Sequence, residues 1–163
     1  MGNPKIIGVY WIKNEARFIE KSLKSVMDIC SEIIVMDNNS TDDTVEICSG
    51  FDKVDIIEEK RDLPYDEVRE KNIILEKARK LDPDFILAVD GDEIFMPHAS
   101  EILFEELSII HPDSDVFEFQ FLTLWDSVHT IRIDGIFGFT TSKKLIYLEI
   151  FFPIKYVQEE IIN

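Results

Sequence analysis

Two carboxylates one residue apart, Asp90 and Asp92, directly follow a run of apolar residues at positions 85–89. A short apolar run with polar flanks is typical of a buried parallel strand. Open α/β sheets bind ligands at the carboxyl ends of their strands, and like charges this close normally need a cation between them. Hard oxygen ligands favour Mg²⁺ or Mn²⁺, which in turn bind diphosphates. The alternative is an acidic turn that closes a strand, since such pairs are common on protein surfaces.

Composition limits the classes of function. The chain has 163 residues, enough for one domain with a substantial core, and we expect residues 1–163 to form a single domain. A net charge of −16 argues against nucleic acid or an anionic membrane as the main partner. Cys30 and Cys48 provide no disulfide framework, so we expect two buried thiols in a reducing compartment. Without a visible secretory signal or a bilayer-length apolar stretch, the predicted location is cytoplasmic and no transmembrane segment is predicted.

The first half of the chain alternates predicted strands and helices. Apolar runs predict strands over residues 5–10, 32–37, 54–58 and 85–89. One helix is expected to follow an N-cap at Asn14, and a second to begin at a cap on Ser40 or Thr41 and end at Gly50. A third, charged and amphipathic, is predicted over residues 66–81. This alternation predicts an α/β fold with a mostly parallel, doubly wound sheet.

The pattern changes after residue 95. A helix is predicted over residues 100–110. Alternating or apolar runs then predict strands, with turns at Asp134-Gly135 and Thr141-Ser142 between the later ones. The predicted strands cover residues 115–125, 128–133, 136–140 and 144–152. We therefore expect antiparallel C-terminal strands appended to the parallel sheet.

Polar segments are expected at one edge of this sheet, at residues 10–15, 37–44, 58–59 and 90–93. In this order the chain resembles the family 2 glycosyltransferases, whose GT-A fold has an Asn-Glu turn, a Ser-Thr-Asp-x-Thr segment and then Asp-x-Asp. It resembles most the β-glucosyltransferase-like branch, which writes the last motif as Asp-x-Asp-Glu. The resemblance covers about residues 5–95. It implies a nucleotide-sugar-binding half at 1–95, an acceptor-side half at 96–163, and a member that is short or truncated at the C-terminus.

The resemblance also implies roles for individual side chains. Asp37 is expected to accept a hydrogen bond from the nucleotide base and Glu15 to line the nucleoside pocket, although Glu15 is equally suited to be a first-turn charge. Lys71 is placed near the donor diphosphate, with a solvated helix face as the alternative. Asp92 would bind the metal directly, and Asp90 would contact the ribose or the metal-bound water. The expected donor-binding set is Tyr10, Asn14, Glu15, Asp37, Asn39, Lys71, Asp90 and Gly91, and the expected metal set is Asp92 and Asp90.

The implied reaction transfers a sugar, with inversion, from a nucleoside-diphosphate donor to a glycan or another hydroxyl acceptor, with Mn²⁺ or Mg²⁺ as cofactor. A carboxylate must take the proton of the attacking hydroxyl, and the candidates are Asp126 and Asp134. Asp134 is equally part of a plain Asp-Gly turn. Two other classes of protein are the alternatives to this enzyme. One is a catalytically silent GT-A domain that binds a nucleotide or a partner protein. The other is a nucleotidyltransferase, which needs a glycine-rich loop that residues 10–15 lack.

Overall fold

The computed structural model describes residues 3–58 and 66–109, and the backbone of four later strands. The N-terminal strands are β1 (Ile6–Ile12), β2 (Glu32–Asp37), β3 (Val54–Glu58) and β4 (Phe85–Val89). The later strands are β5 (Val116–Leu122), β6 (Leu124–Trp125), β7 (Ser127–Ile131) and β8 (Phe139–Tyr147). The helices are α1 (Ile19–Val26), α2 (Thr44–Ser49), α3 (Glu67–Arg79) and α4 (Ala99–Ile109).

Within the described residues, the main sheet has 6 strands in the order β3-β2-β1-β4-β8-β5. Strand β1 pairs in parallel with both β2 and β4, and β2 pairs in parallel with β3. Strand β8 is antiparallel to both of its neighbours, β4 and β5, and a separate antiparallel pair joins β6 to β7. The expected α/β architecture, a mostly parallel sheet with antiparallel C-terminal strands, is confirmed.

The sheet is covered on both faces because its central strands are apolar on both sides. Alternate residues of β1 divide between two cores. One contains Ile6, Tyr10 and Ile12 with buried residues of α1, α2 and α4, and the other contains Ile7 and Val9 with buried residues of α3. The chain is therefore doubly wound, and the order of strands reverses between β1 and β4. Such a reversal opens a crevice at the carboxyl ends of these two strands.

The C-terminal strands differ from their predicted boundaries. The expected turn at Thr141-Ser142 is wrong, because both residues lie inside β8, where they pair with Gln120 and Phe119 of β5. Pairing with β5 satisfies backbone groups of these two residues that a turn would have left to solvent, and this outweighs the local turn preference of Thr and Ser. Conversely, the single strand expected over 115–125 is divided into β5 and β6.

Both predicted helix caps in the first half are also wrong. Helix α1 begins after Phe18 rather than Asn14, and α2 begins after Asp43 rather than Ser40 or Thr41; neither capping residue makes a side-chain cap bond. The residues proposed as caps instead make hydrogen bonds that join the loop after β1 to the loop after β2. Helix α3 does have a side-chain cap, since Asp66 accepts a hydrogen bond from the backbone of Arg69.

The two cysteines are buried and unpaired, as expected. Burial raises the pKa of the Cys30 thiol to about 12 and that of Cys48 to about 11, so both stay protonated at neutral pH. Within the part of the chain that the structure describes, no helix has the length and apolar character needed to span a membrane.

Candidate functional site

The expected site residues follow the carboxyl ends of adjacent parallel strands. Residues 13–16 follow β1, residues 38–43 follow β2, and residues 90–93 follow β4. Because β1 lies between β2 and β4, these three segments share one edge of the sheet at the point where the strand order reverses. This is the position at which open α/β sheets bind their ligands.

The loops after β1 and β2 are joined through Asn14. Its backbone N–H donates to the hydroxyl of Ser40 at 2.8 Å, and its side-chain oxygen accepts from the backbone N–H of Thr41 at 2.8 Å. Asn14 and Asn39 both have positive φ, at 56° and 57°, which asparagine tolerates better than most residues. Asn14 thus has a structural role at the site that the capping interpretation missed.

Thr44 and Asp42 complete the connection between these loops. The backbone N–H of Glu15 donates to Thr44 Oγ1 at 2.8 Å, and that hydroxyl donates to Asp42 Oδ1 at 2.5 Å. The second oxygen of Asp42 accepts from the backbone of Ala16 at 3.2 Å. The Thr44 hydroxyl and backbone hold the pKa of Asp42 below its usual range. The Ser-Thr-Asp-x-Thr segment therefore fixes the loop that carries Glu15.

Asp37 closes the turn after β2. Its side chain is 3% exposed, and it accepts hydrogen bonds from the backbone N–H of Ser40 at 2.9 Å and from the Ser40 hydroxyl at 2.5 Å. Since Ser40 in turn binds Asn14, Asp37 supports the loops after both β1 and β2. The interpretation that Ser40 acts as a helix cap is corrected by these contacts, while the contact of Asp37 with the nucleotide base stays a prediction.

Tyr10 does not lie on the ligand edge, and its predicted contact with the donor is corrected. It is completely buried in the core, its hydroxyl lies 3.1 Å from that of Ser22, and burial raises its pKa. The Ser22 hydroxyl donates to the backbone oxygen of Asp90 at 3.4 Å. Tyr10 therefore lies beneath the site, connected to Asp90 through Ser22, which sequence patterns alone did not single out.

Glu93 holds the loop after β4 in shape. Its carboxylate accepts from the backbone N–H of Asp90 at 2.9 Å, and its own N–H donates to the Asp90 carbonyl at 3.0 Å. Gly91 within this loop is buried, whereas Asp90 and Asp92 are exposed. The loop therefore presents two carboxylates to solvent on a fixed backbone.

Glu15 and Gly91 bring the ends of β1 and β4 into contact. A Cβ atom on Gly91 would lie 2.6 Å from Glu15 Cγ and 3.0 Å from Glu15 Cβ, so the half-buried Glu15 side chain lies directly against this glycine. Burial, and then the negative charges of Asp92, Asp42 and Asp90, raise the pKa of Glu15. The structure therefore brings Glu15, Asp90 and Asp92 together, in surroundings whose negative charge favours a cation.

Gly91→Ala should destabilise the protein by about 1–3 kcal/mol, because the new methyl group overlaps atoms close to the Glu15 backbone. Urea denaturation measures the change. Gly50→Ala is the matched control: its Cβ meets a backbone oxygen at 3.3 Å, and we expect a change within about 0.5 kcal/mol. Adding Glu15→Ala to Gly91→Ala should restore part of the stability. Equal stabilities of the Gly91 and Gly50 variants would contradict the contact.

Lys71 lies on α3, which packs against the face of the sheet opposite α1, α2 and α4. Its ammonium is 2.5 Å from Glu67 Oε1 and 5.2 Å from the centre of the Trp11 ring, in a position to make a cation–π contact. Its side chain is 24% exposed. Lys71 therefore lies beside the end of β1 rather than on a fully solvated helix face.

The described residues alone do not form a complete protein site for a divalent cation. Within residues 3–58 and 66–108, no group of three His, Cys, Asp or Glu side chains is placed to bind a metal ion. Asp90 and Asp92 nevertheless fit Mg²⁺ or Mn²⁺, since Mg²⁺ in particular is commonly held by one or two carboxylates, substrate phosphates and waters. The candidate bases, Asp126 and Asp134, lie outside the described residues.

Comparison with known proteins gives both a family match and a structural match. The family model for "Glycosyl transferase family 2" matches residues 10–121. Glycosyltransferase SunS, derived from the SPbeta prophage of Bacillus subtilis (strain 168), is 39% identical over 85 residues, which make up 52% of this chain and 19% of SunS. A crystal structure of S. aureus TarS, residues 1–349, matches with a TM-score of 0.50 and 22% identity over 64% of this chain and 31% of that one.

The chain belongs to glycosyl transferase family 2, as its ordered motifs indicated. Structural likeness to S. aureus TarS agrees with the GT-A fold. The chain spans 19% of the length of SunS and 31% of the TarS structure, so the activities of those whole proteins come to it only as proposals. The narrower likeness to the β-glucosyltransferase-like branch stays a prediction.

Proposed function

We propose that this chain binds a nucleoside-diphosphate sugar, with Mn²⁺ or Mg²⁺, and transfers the sugar with inversion to a hydroxyl of a glycan or another acceptor. The observation that carries the proposal is the loop after β4, where Asp90 and Asp92 are exposed on a backbone held by Glu93. The loop lies at the strand-order reversal that binds ligands in this class of sheet. The family assignment supports the same reaction.

Each part of the ligand edge has a task in this proposal. Asp92 and Asp90 would hold the metal, which when bound neutralises the two phosphates and stabilises the leaving charge. Asn14, Glu15 and Asn39 would line the nucleoside side, and Lys71 would face the diphosphate. Asp37 supports this wall through Ser40, so we assign it to shaping the pocket and no longer to the base contact alone.

The transfer step needs a base for the acceptor hydroxyl, and we propose Asp126 or Asp134, one of which would take the proton as the hydroxyl attacks the anomeric carbon. In this scheme residues 1–95 bind the donor and residues 96–163 the acceptor, within a single domain. The unpaired thiols of Cys30 and Cys48 are in keeping with the reducing conditions of the cytoplasm, where we propose that the protein acts.

Binding of a nucleoside diphosphate should depend on the divalent cation. We expect titration calorimetry with uridine, guanosine and thymidine diphosphates to show at least one ligand whose affinity falls about tenfold or more when EDTA replaces Mn²⁺. The reason is that the two carboxylates repel the diphosphate unless a cation lies between them. Equal affinity with and without EDTA would overturn the metal-dependent site.

The same preparation separates an enzyme from a silent domain. Nucleotide sugars carrying the diphosphate that binds best are incubated with Mn²⁺, and release of that diphosphate is followed. Slow hydrolysis or transfer supports the enzyme. Binding without release from any donor, in the presence of a panel of hydroxyl acceptors, would favour the silent domain that binds a nucleotide.

A further inference from the structure

Glu70 is a buried carboxylate on the face of α3 that packs against the sheet. Its side chain is 1% exposed, and it accepts a hydrogen bond from Trp11 Nε1 at 2.7 Å. The guanidinium of the adjacent Arg69 lies 3.8 Å away. The other buried residues of α3, namely Ile74, Leu75 and Ala78, are apolar.

A carboxylate at this position needs a reason, because an apolar side chain would complete the buried face of α3 without the cost of desolvating a charge. The contact it makes is specific. Trp11 is the last residue of β1 to face α3, following Ile7 and Val9 on the same side of the strand. Glu70 therefore fixes an aromatic ring at the ligand edge of the sheet.

A second contact of this ring involves Lys71, the next residue of the helix. The ammonium of Lys71 lies 5.2 Å from the centre of the Trp11 ring, while Glu70 holds the ring through its N–H. Glu67, one turn earlier, also pairs with Lys71 at 2.5 Å. The Lys71 ammonium is therefore placed both by Glu67 and by the face of the Trp11 ring, and Glu70 orients that ring.

We propose that Glu70 is a positioning residue for the donor diphosphate, acting through the Trp11 ring to hold the Lys71 ammonium beside the end of β1. The inference rests on the proposed function, which gives Lys71 the diphosphate to face. It assigns a ligand-related role to a buried carboxylate and to Trp11, whose side chains belong to neither the metal site nor the loops after β1 and β2. The alternative is that the hydrogen bond only attaches α3 to the sheet.

A double-mutant cycle separates these two roles. Glu70→Met and Glu70→Gln are made with Lys71 present and again in a Lys71→Met background, and the dissociation constant is measured with Mn²⁺ and whichever of uridine, guanosine or thymidine diphosphate binds the wild type best. With Lys71 present, Glu70→Met should weaken binding about tenfold. In the Lys71→Met background the same change should cost about twofold or less, because its target is gone.

Glu70→Gln tests the hydrogen bond by rescue. The glutamine oxygen still accepts from the indole N–H, so binding should stay within about threefold of the wild type. The indole N–H proton of Trp11 reports the bond directly, and Trp125→Phe leaves Trp11 as the one tryptophan to observe. This proton should exchange with solvent faster after Glu70→Met than after Glu70→Gln. Ile74→Val is the matched control: Ile74 is buried at 3% on the same helix, and trimming it loosens the packing of α3 while keeping the Glu70 carboxylate, the Trp11 indole and the Lys71 ammonium.

The outcomes are distinct. Equal weakening by Glu70→Met in both backgrounds, or an equal effect of Ile74→Val, would show that Glu70 serves only the packing of α3 and would overturn the inference. An unchanged affinity of Glu70→Met with Lys71 present would do the same, while the proposed function stands. If the wild type binds none of the three diphosphates with Mn²⁺, the proposed function fails and the inference falls with it.

Discussion

Replacing Asp92 by Asn should lower the rate of sugar transfer about a hundredfold or more, while the fold survives. Asn keeps the shape of the side chain and removes its charge. In the proposed site that charge holds the cation opposite the leaving diphosphate, whose negative charge grows as the glycosidic bond breaks. The loss should therefore be larger in the rate than in the affinity for the donor. The measurement is Mn²⁺-dependent release of nucleoside diphosphate from a panel of nucleotide sugars.

The stability of Asp92→Asn should be equal to or slightly above that of the wild type. Asp92 contributes to the raised pKa of Glu15, and a carboxyl whose pKa is raised on folding costs stability at every pH above its unfolded pKa. Removing the neighbouring charge reduces that cost at neutral pH. Asp52→Asn is the control, since Asp52 is an exposed carboxylate just before β3, at the opposite edge of the sheet. An Asp92→Asn protein as active as this control would refute the metal role.

Asp37→Ala should destabilise the fold by about 2–4 kcal/mol, because it removes both acceptors of the Ser40 hydrogen bonds and leaves the buried turn without its carboxylate. Nucleotide binding should weaken with it, since the loops after β1 and β2 lose a shared support. Denaturation in urea gives the change in the free energy of unfolding. Calorimetry at a temperature where the variant is folded gives the change in affinity.

Asp43→Ala is the matched control for Asp37. Asp43 is exposed in the same loop, and its side chain makes no cap bond to α2, so we expect a change within about 0.5 kcal/mol. If Asp37→Ala is as stable as Asp43→Ala and only nucleotide binding is lost, then Asp37 acts on the ligand directly. That result would restore the base contact that the family resemblance implied.

The sequence alone was enough to predict the order of the elements in the first half of the chain and the edge of the sheet where their polar loops meet. The apolar runs of β2 and β4 are continuous, rich in residues that favour strands, and bounded by polar residues. The type and the ends of these strands are therefore local properties of the sequence. Alternation with helices then requires parallel strands, and parallel strands place their carboxyl ends together. Asp90 and Asp92 could therefore be assigned to the carboxyl edge of the parallel strands before any contact was known.

Only the tertiary structure decided what the polar residues at that edge bind. Asn14 and Ser40 looked like helix caps because that is their commonest local role, but their partners lie 27 and 26 residues away, in the facing loop. Tyr10 reads as a site residue by position in the motif, yet the side of the strand on which it falls places it in the core. Glu70 reads as a solvated charge until Trp11, 59 residues earlier, is seen to bind it. Contacts between residues this far apart in the chain leave no periodic pattern in either segment, so the sequence could predict the elements and their ends but not these pairings.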